Sequence, residues 1–292
     1  MSTATIDATA SRTFDLGGDL TVHRLGFGAM RITGQGVWGE PKNPEEAIKV
    51  LRRLPNIGVN FIDTADSYGP EVSERLIAEA LYPYPKDLVI ATKGGLTRQG
   101  PNQWLPVGRP EYLRQCVEMS LRRLRLDRID LYQLHRIDPK VPVEESLGAL
   151  ADLQKAGKIR HIGLSEVTQK EIQRAQKSAR IVSVQNKYNL TDRSADTEAA
   201  LAYCEREKLA FIPWFPVAAG KLAESGGPLD SAAKKHHATL AQLSIAWLLH
   251  RSPVILPIPG TSSLEHLEEN VGSAHVKLRP EEWEAVEQAV RS

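Results

Sequence analysis

A single (β/α)8 (TIM) barrel of the α/β class is the fold this sequence predicts, and three observations predict it. Eight short apolar runs carry no polar alternation, which is how strands buried on both faces read. Amphipathic helical patterns lie between them. The runs end near positions 28, 63, 93, 135, 164, 185, 214 and 258, with no long linker or composition break. Eight strand-and-crossover units in roughly 250 residues is the size of such a barrel. A doubly wound sheet is the alternative.

The candidate strands are Leu25–Gly28, Asn60–Asp63, Leu88–Thr92, Ile129–Leu134, Ile159–Leu164, Ile181–Val184, Ala210–Trp214 and Val254–Ile258. Apolar residues repeat at three and four positions in Val72, Leu76, Ile77, Ala80 and Leu81. They repeat likewise in Leu113, Cys116, Val117, Leu121 and Leu124, and in Leu240, Leu243, Ala246, Trp247 and Leu249. These are helix faces turned to a core. Thr13–Val22 reads as a hairpin turning at Gly17-Gly18-Asp19, placed to plug the barrel floor. Pro280–Val290 reads as an extra C-terminal helix opened by proline. Residues 1–12 are small and polar and read as a disordered tail, leaving 13–292 to the barrel.

Composition excludes several classes. Among 292 residues, 37 Lys+Arg face 36 Asp+Glu, a net charge of +1. That balance gives no electrostatic reason to expect nucleic acid or an anionic membrane. Cys116 and Cys204 are the two cysteines and form no CxxC pair, so neither a disulfide framework nor a Cys-rich metal site is expected. No apolar stretch approaches the roughly 20 residues that span a bilayer. Met1–Asp7 has no basic and apolar leader, and the cytoplasm is the expected location. Asn189-Leu190-Thr191 then reads as a turn, because glycosylation needs the secretory pathway.

In a barrel the chemistry sits where strands end. The second run closes with Asp63 and is followed by Tyr68. The third closes with Lys93 and the fourth with His135. A buried ammonium needs a counter-ion, which Asp63 can supply. A phenol beside that ammonium is expected to have its pKa lowered toward working pH and to serve as a proton donor. An imidazole on the next strand can hydrogen-bond the same oxygen. Together these groups suit reduction of an aldehyde or ketone. Taken singly, each has a plainer reading: a structural ion pair, a core histidine, an aromatic packed on the rim. Gly26-Phe-Gly28 is no dinucleotide fingerprint, since Arg31 stands where the third glycine is required.

Asn60–Gly69, Ala91–Gly94, Tyr132–His135, Gly163–Ser165, Val184–Tyr188, Ile258–Thr261 and Glu269-Asn270 together resemble the aldo-keto reductase superfamily, in order and at the expected spacing. The resemblance implies a barrel that binds NADP(H), with NAD(H) also open, and reduces carbonyls. It implies Tyr68 as acid/base, Lys93 and Asp63 as its tuners, and His135 as carbonyl orienter. Ser165 and Gln185 match positions that hold the nicotinamide carboxamide. Trp214 stands where a stacking tyrosine is usual, and a larger ring face should keep the stacking. Phe215, Pro216, Val217, Gly220 and Leu222, with Lys221, match a loop over the pyrophosphate. Gly260, Thr261, Ser262, His266, Glu269 and Asn270 match the adenosine end, and Met30 a contact at the end of the first strand.

This sequence departs from the family pattern at three further positions. Glu166 replaces a common asparagine, Gly260 a common basic residue, and His266 a common arginine for the 2′-phosphate. Trp38 and Trp104 fall in long post-strand loops and are expected to wall the substrate pocket. Leu81-Tyr-Pro-Tyr84 with the Trp38 loop resembles a bacterial branch that includes pyridoxal reductases. Two other functions stay open on the sequence. One is a cofactor-binding redox sensor or regulatory subunit; the other is a lyase using Lys93 as a Schiff base.

Overall fold

Seven parallel strands follow one another around a single sheet: β3 (Phe27–Gly28), β4 (Phe61–Asp63), β5 (Val89–Gly94), β8 (Ile129–Leu134), β9 (Ile159–Ser165), β10 (Ile181–Gln185) and β11 (Ala210–Phe211). Each pairs with the next in chain order, without the reversal that defines a doubly wound sheet. The computed structural model describes residues 6–216 and 228–291.

The eighth stave, expected at Val254–Ile258, closes the ring without becoming a regular strand. Phe211 N–H donates to Val254 O and Leu256 N–H to Phe211 O, each at 2.8 Å. On the other side Gly26 N–H donates to Pro257 O at 2.9 Å and Gly28 N–H to Pro259 O at 3.4 Å. Pro253, Pro257 and Pro259 lack amide hydrogens, so this stave accepts bonds from β3 but cannot complete a ladder.

The hairpin of β1 (Thr13–Leu16) and β2 (Leu20–His23) precedes the barrel. Its Leu16 and Val22 are buried with Phe61, Leu131, Val182 and Leu256 in the barrel interior, so it plugs one end. Asp19 fixes it there through Arg160 and His161. Ala8–Ser11, expected within a disordered tail, instead form a turn of 3-10 helix capped by Asp7. Ser11 Oγ anchors it by accepting from Leu25 N–H at 3.0 Å.

Outside the sheet run α1 (Pro44–Arg53), α2 (Val72–Leu81), α3 (Pro110–Leu124), α4 (Val143–Lys155), α5 (Gln169–Ala175), α6 (Ala195–Glu207), α7 (Pro228–Lys235), α8 (Leu240–Arg251), α9 (Leu264–Gly272) and α10 (Pro280–Arg291). Their starts are written in the sequence. Asn43, Thr168, Ser194, Thr239 and Ser263 each accept from an amide of the first turn. A further short hairpin, β6 (Leu96–Thr97) and β7 (Leu105–Pro106), rises from the loop after β5. Among the described residues no helix is long and apolar enough to cross a membrane.

Candidate active site

Strand register brings the expected groups to one rim. Asp63 pairs across β4 and β5 with Ala91, and Lys93 lies two residues further along, on the same face. Lys93 then pairs with Gln133 on β8, two residues before His135. Lys93 Nζ donates to Asp63 Oδ1 at 2.5 Å, to Thr64 O at 2.9 Å and to Tyr68 Oη at 3.3 Å. Asp63 Oδ2 accepts from the amides of Gln133 and Gln185, each at 2.9 Å. The imidazole of His135 lies 5.9 Å from the Tyr68 ring, edge to face, and its Nδ1 meets Ser67 Oγ at 3.2 Å.

Water exclusion sets the electrostatics of this cluster. Burial alone would lower the Lys93 pKa, but Asp63 and Tyr68 outweigh it and hold the ammonium above its ordinary value. Burial, with the charges of Lys93, Arg136 and Arg98, pushes His135 well below the usual imidazole range. The phenol of Tyr68 departs from the sequence expectation. Burial raises its pKa, and the opposing pull of Lys93 does not reverse that. The sequence names the neighbouring ammonium but not the dehydration of the site.

A cleft of about 880 Å³ opens above these groups. At its inner end it is lined by Asp63, Tyr68, Trp104 and His135, with Lys93 wholly buried behind them. Met30, Ser165, Gln185, Trp214, Phe215 and Pro216 line its middle. Gly260, Thr261, His266, Glu269 and Asn270 line its far end. Val217, Gly220, Lys221 and Leu222 lie outside the described residues. Two expected contacts face elsewhere. Ser262 is exposed and does not line the cleft, whereas Thr261 does. Trp38 stands at the outer rim, 37% exposed, and its neighbour Val37 lines the cleft instead.

Trp214 is held by its surroundings. Its backbone bridges to Lys187, and its indole Nε1 donates to Glu166 Oε1, which also accepts from Lys187 N–H at 2.8 Å. The glutamate at 166 thus tethers the ring that walls the cleft.

Three contributors escaped the sequence reading. Gln133 shares a strand face with His135, so its approach to Asp63 was legible from the period of two. Arg98 donates to the carbonyls of Gly36, Val37, Ser67, Gly100 and Gln103, at 2.6–3.3 Å, and no sequence signal marks that convergence. Arg136 lines the cleft beside His135.

The site's likeness to known proteins runs the length of the chain. The sequence pattern described as "Aldo/keto reductase family" matches residues 24–291. An uncharacterized oxidoreductase of Schizosaccharomyces pombe is 52% identical over 291 residues, covering 100% of this chain and 94% of that protein. The pyridoxine 4-dehydrogenase of Escherichia coli is 44% identical over 278 residues, 93% and 96% of the two chains. The crystal structure of a Klebsiella pneumoniae aldo/keto reductase in complex with NADP and acetate superposes with a TM-score of 0.80 at 25% identity, covering 95% and 94%. The chain belongs to the aldo/keto reductase family and is an NAD(P)H-dependent oxidoreductase.

Proposed function

We propose that this protein reduces small aldehydes and ketones with NAD(P)H, Tyr68 supplying the proton, and that the reverse oxidation of alcohols uses the same groups. The observation that carries the reading is the chain of contacts Asp63–Lys93–Tyr68 beneath a cleft of about 880 Å³ whose lining runs from Tyr68 past Trp214 to Asn270.

The residues present fit such a cofactor. Ser165 Oγ accepts from Arg136 and keeps its hydroxyl proton to donate. Gln185 donates to Asp63 and keeps its carbonyl oxygen to accept. A donor and an acceptor side by side match a carboxamide. Trp214 offers a ring face beside them, and Gly260 with Thr261 leaves the far end open for the adenosine portion. NADP(H) is the preferred form in this reading, although His266 offers less charge to a 2′-phosphate than an arginine would.

When bound, a dihydronicotinamide would supply hydride for the carbonyl carbon. Tyr68 Oη gives its proton to the carbonyl oxygen. Lys93 Nζ stabilises the phenolate left behind, and Asp63 keeps that ammonium charged and in place. With Ser67 Oγ–H donating to Nδ1 of the neutral His135 ring, Nε2–H is left to reach the same oxygen. Trp104 closes over Tyr68 and His135 at 6.3 and 6.2 Å between ring centres and keeps water out. A Schiff-base role for Lys93 is disfavoured, because its three N–H groups already have acceptors.

Replacing Tyr68 with Phe tests the reading. Oxidation of NADPH at 340 nm with a panel of aldehydes that includes pyridoxal should fall by at least about 10²-fold, the scale of a general acid. Cofactor affinity should hold. Undiminished turnover would remove Tyr68 from its role.

A further inference from the structure

The two arginines of the inner cleft are in opposite states. Arg98 has all five N–H groups engaged by carbonyl oxygens. Arg136, half-buried in the same wall, uses only Nη1, which donates to His135 O at 2.7 Å and Ser165 Oγ at 2.9 Å. Among the described residues Nε and Nη2 of Arg136 meet no hydrogen-bond acceptor, and no carboxylate lies within ion-pair distance of the guanidinium. The carboxylates of this region are directed elsewhere. Asp63 is shared by Lys93, Gln133 and Gln185, and Glu166 Oε1 by Trp214 and Lys187. Burial disfavours the charge of Arg136, and Glu166 offsets part of that from beyond ion-pair distance, leaving the Nε and Nη2 edge unbonded.

The unused edge has a particular shape. Nε–H and Nη2–H point the same way and form the fork that takes both oxygens of a carboxylate. Arg136 follows His135 directly and lines the cleft that also holds Tyr68, His135 and Ser165. Resting on the carbonyl-reductase reading, we infer that Arg136 is a substrate-binding residue and that the preferred substrates are aldehydes or ketones carrying a carboxylate.

Two measurements test this, one without turnover. The first compares kcat/KM with NADPH for 3- and 4-carboxybenzaldehyde against their methyl esters. The wild-type protein should favour the acids, and Arg136→Gln should lower the acid-to-ester ratio of kcat/KM by roughly tenfold or more, whatever it loses on both through Ser165. Arg136→Lys should recover part of the loss. The second is calorimetric titration of benzoate into the NADP+-loaded protein, where Arg136→Gln should weaken binding by a similar factor. Equal losses on acid and ester, or a weakened NADPH dissociation constant with benzoate binding unchanged, would reduce Arg136 to a support for Ser165 and overturn the inference. Tighter binding of phenyl phosphate than of benzoate would overturn the carboxylate assignment. Benzoate held through Arg136 in a protein that oxidises no NADPH with any aldehyde would instead overturn the reductase reading alone.

Discussion

The Arg98 guanidinium lies 3.5 Å from the centre of the Trp104 indole, and its Nη1 donates 2.6 Å to the carbonyl of Ser67, the residue before Tyr68. One side chain therefore touches both the indole above the pocket and the backbone leading into the proposed proton donor. Arg98→Lys keeps the charge but cannot span five carbonyls. The expected result is a several-fold rise in KM for carbonyl substrates with the cofactor dissociation constant unchanged, read from steady-state kinetics and fluorescence titration. An unchanged KM would mean that the loops hold themselves.

Burial raises the Tyr68 pKa above the ordinary phenol value, and this fixes the direction of the pH response. On the proposed reading reduction needs the protonated phenol, so its kcat should stay level through neutral and mildly alkaline pH and fall only beyond the ordinary phenol range. Alcohol oxidation needs the phenolate and should climb over the same range. A reduction rate falling through pH 7–8 would contradict the raised value.

Asp66 supplies a stability test. Burial, followed by the charge of Glu74, pushes its carboxyl to about 7, and its Oδ1 has no hydrogen-bond partner. Below about pH 4 the carboxyl is protonated folded or unfolded and carries no penalty. Between about 4 and 7 the unfolded chain ionises while the fold cannot, so stability declines across that window and stays reduced above it. Asp66→Asn should remove this loss. Its melting temperature relative to the wild type should be higher at pH 8 than at pH 4.5, by a difference worth at most roughly 4 kcal/mol. Parallel melting curves at the two pH values would place the ionised carboxylate in a friendlier setting.

Trp214→Ala removes the ring that walls the middle of the cleft. Cofactor binding should weaken by roughly 1–3 kcal/mol, by analogy with base–aromatic stacking, as read by fluorescence titration with NADPH. An unaltered dissociation constant would show that the indole does not stack.

Much of this arrangement is visible in the chain itself. Asp63, Lys93 and His135 close successive apolar runs, so their meeting at one rim follows from strand polarity. The eighth stave was legible as a position but not as its bonding, because Pro257 and Pro259 look like ordinary apolar positions until the missing amide hydrogens are counted. The Leu96–Pro106 hairpin left no alternation to read across its two-residue strands. The direction of the Tyr68 shift depends on how dry the pocket is, and only packing decides that. The reach of Arg98 depends on carbonyl groups, which every residue carries and which leave no mark in a sequence.

The closing stave passes so near β3 that a β-carbon on residue 260 would stand 2.3 Å from Gly28 O. An ancestor or engineered variant seeking a firmer hold on a 2′-phosphate therefore finds the lysine route at that position barred by main chain, which no rotamer can relieve. On the proposed reading, selection between the two nicotinamide dinucleotides would then fall to His266 on α9, which is exposed and lines the far end of the cleft. Coenzyme choice can then drift in evolution without disturbing the barrel seam.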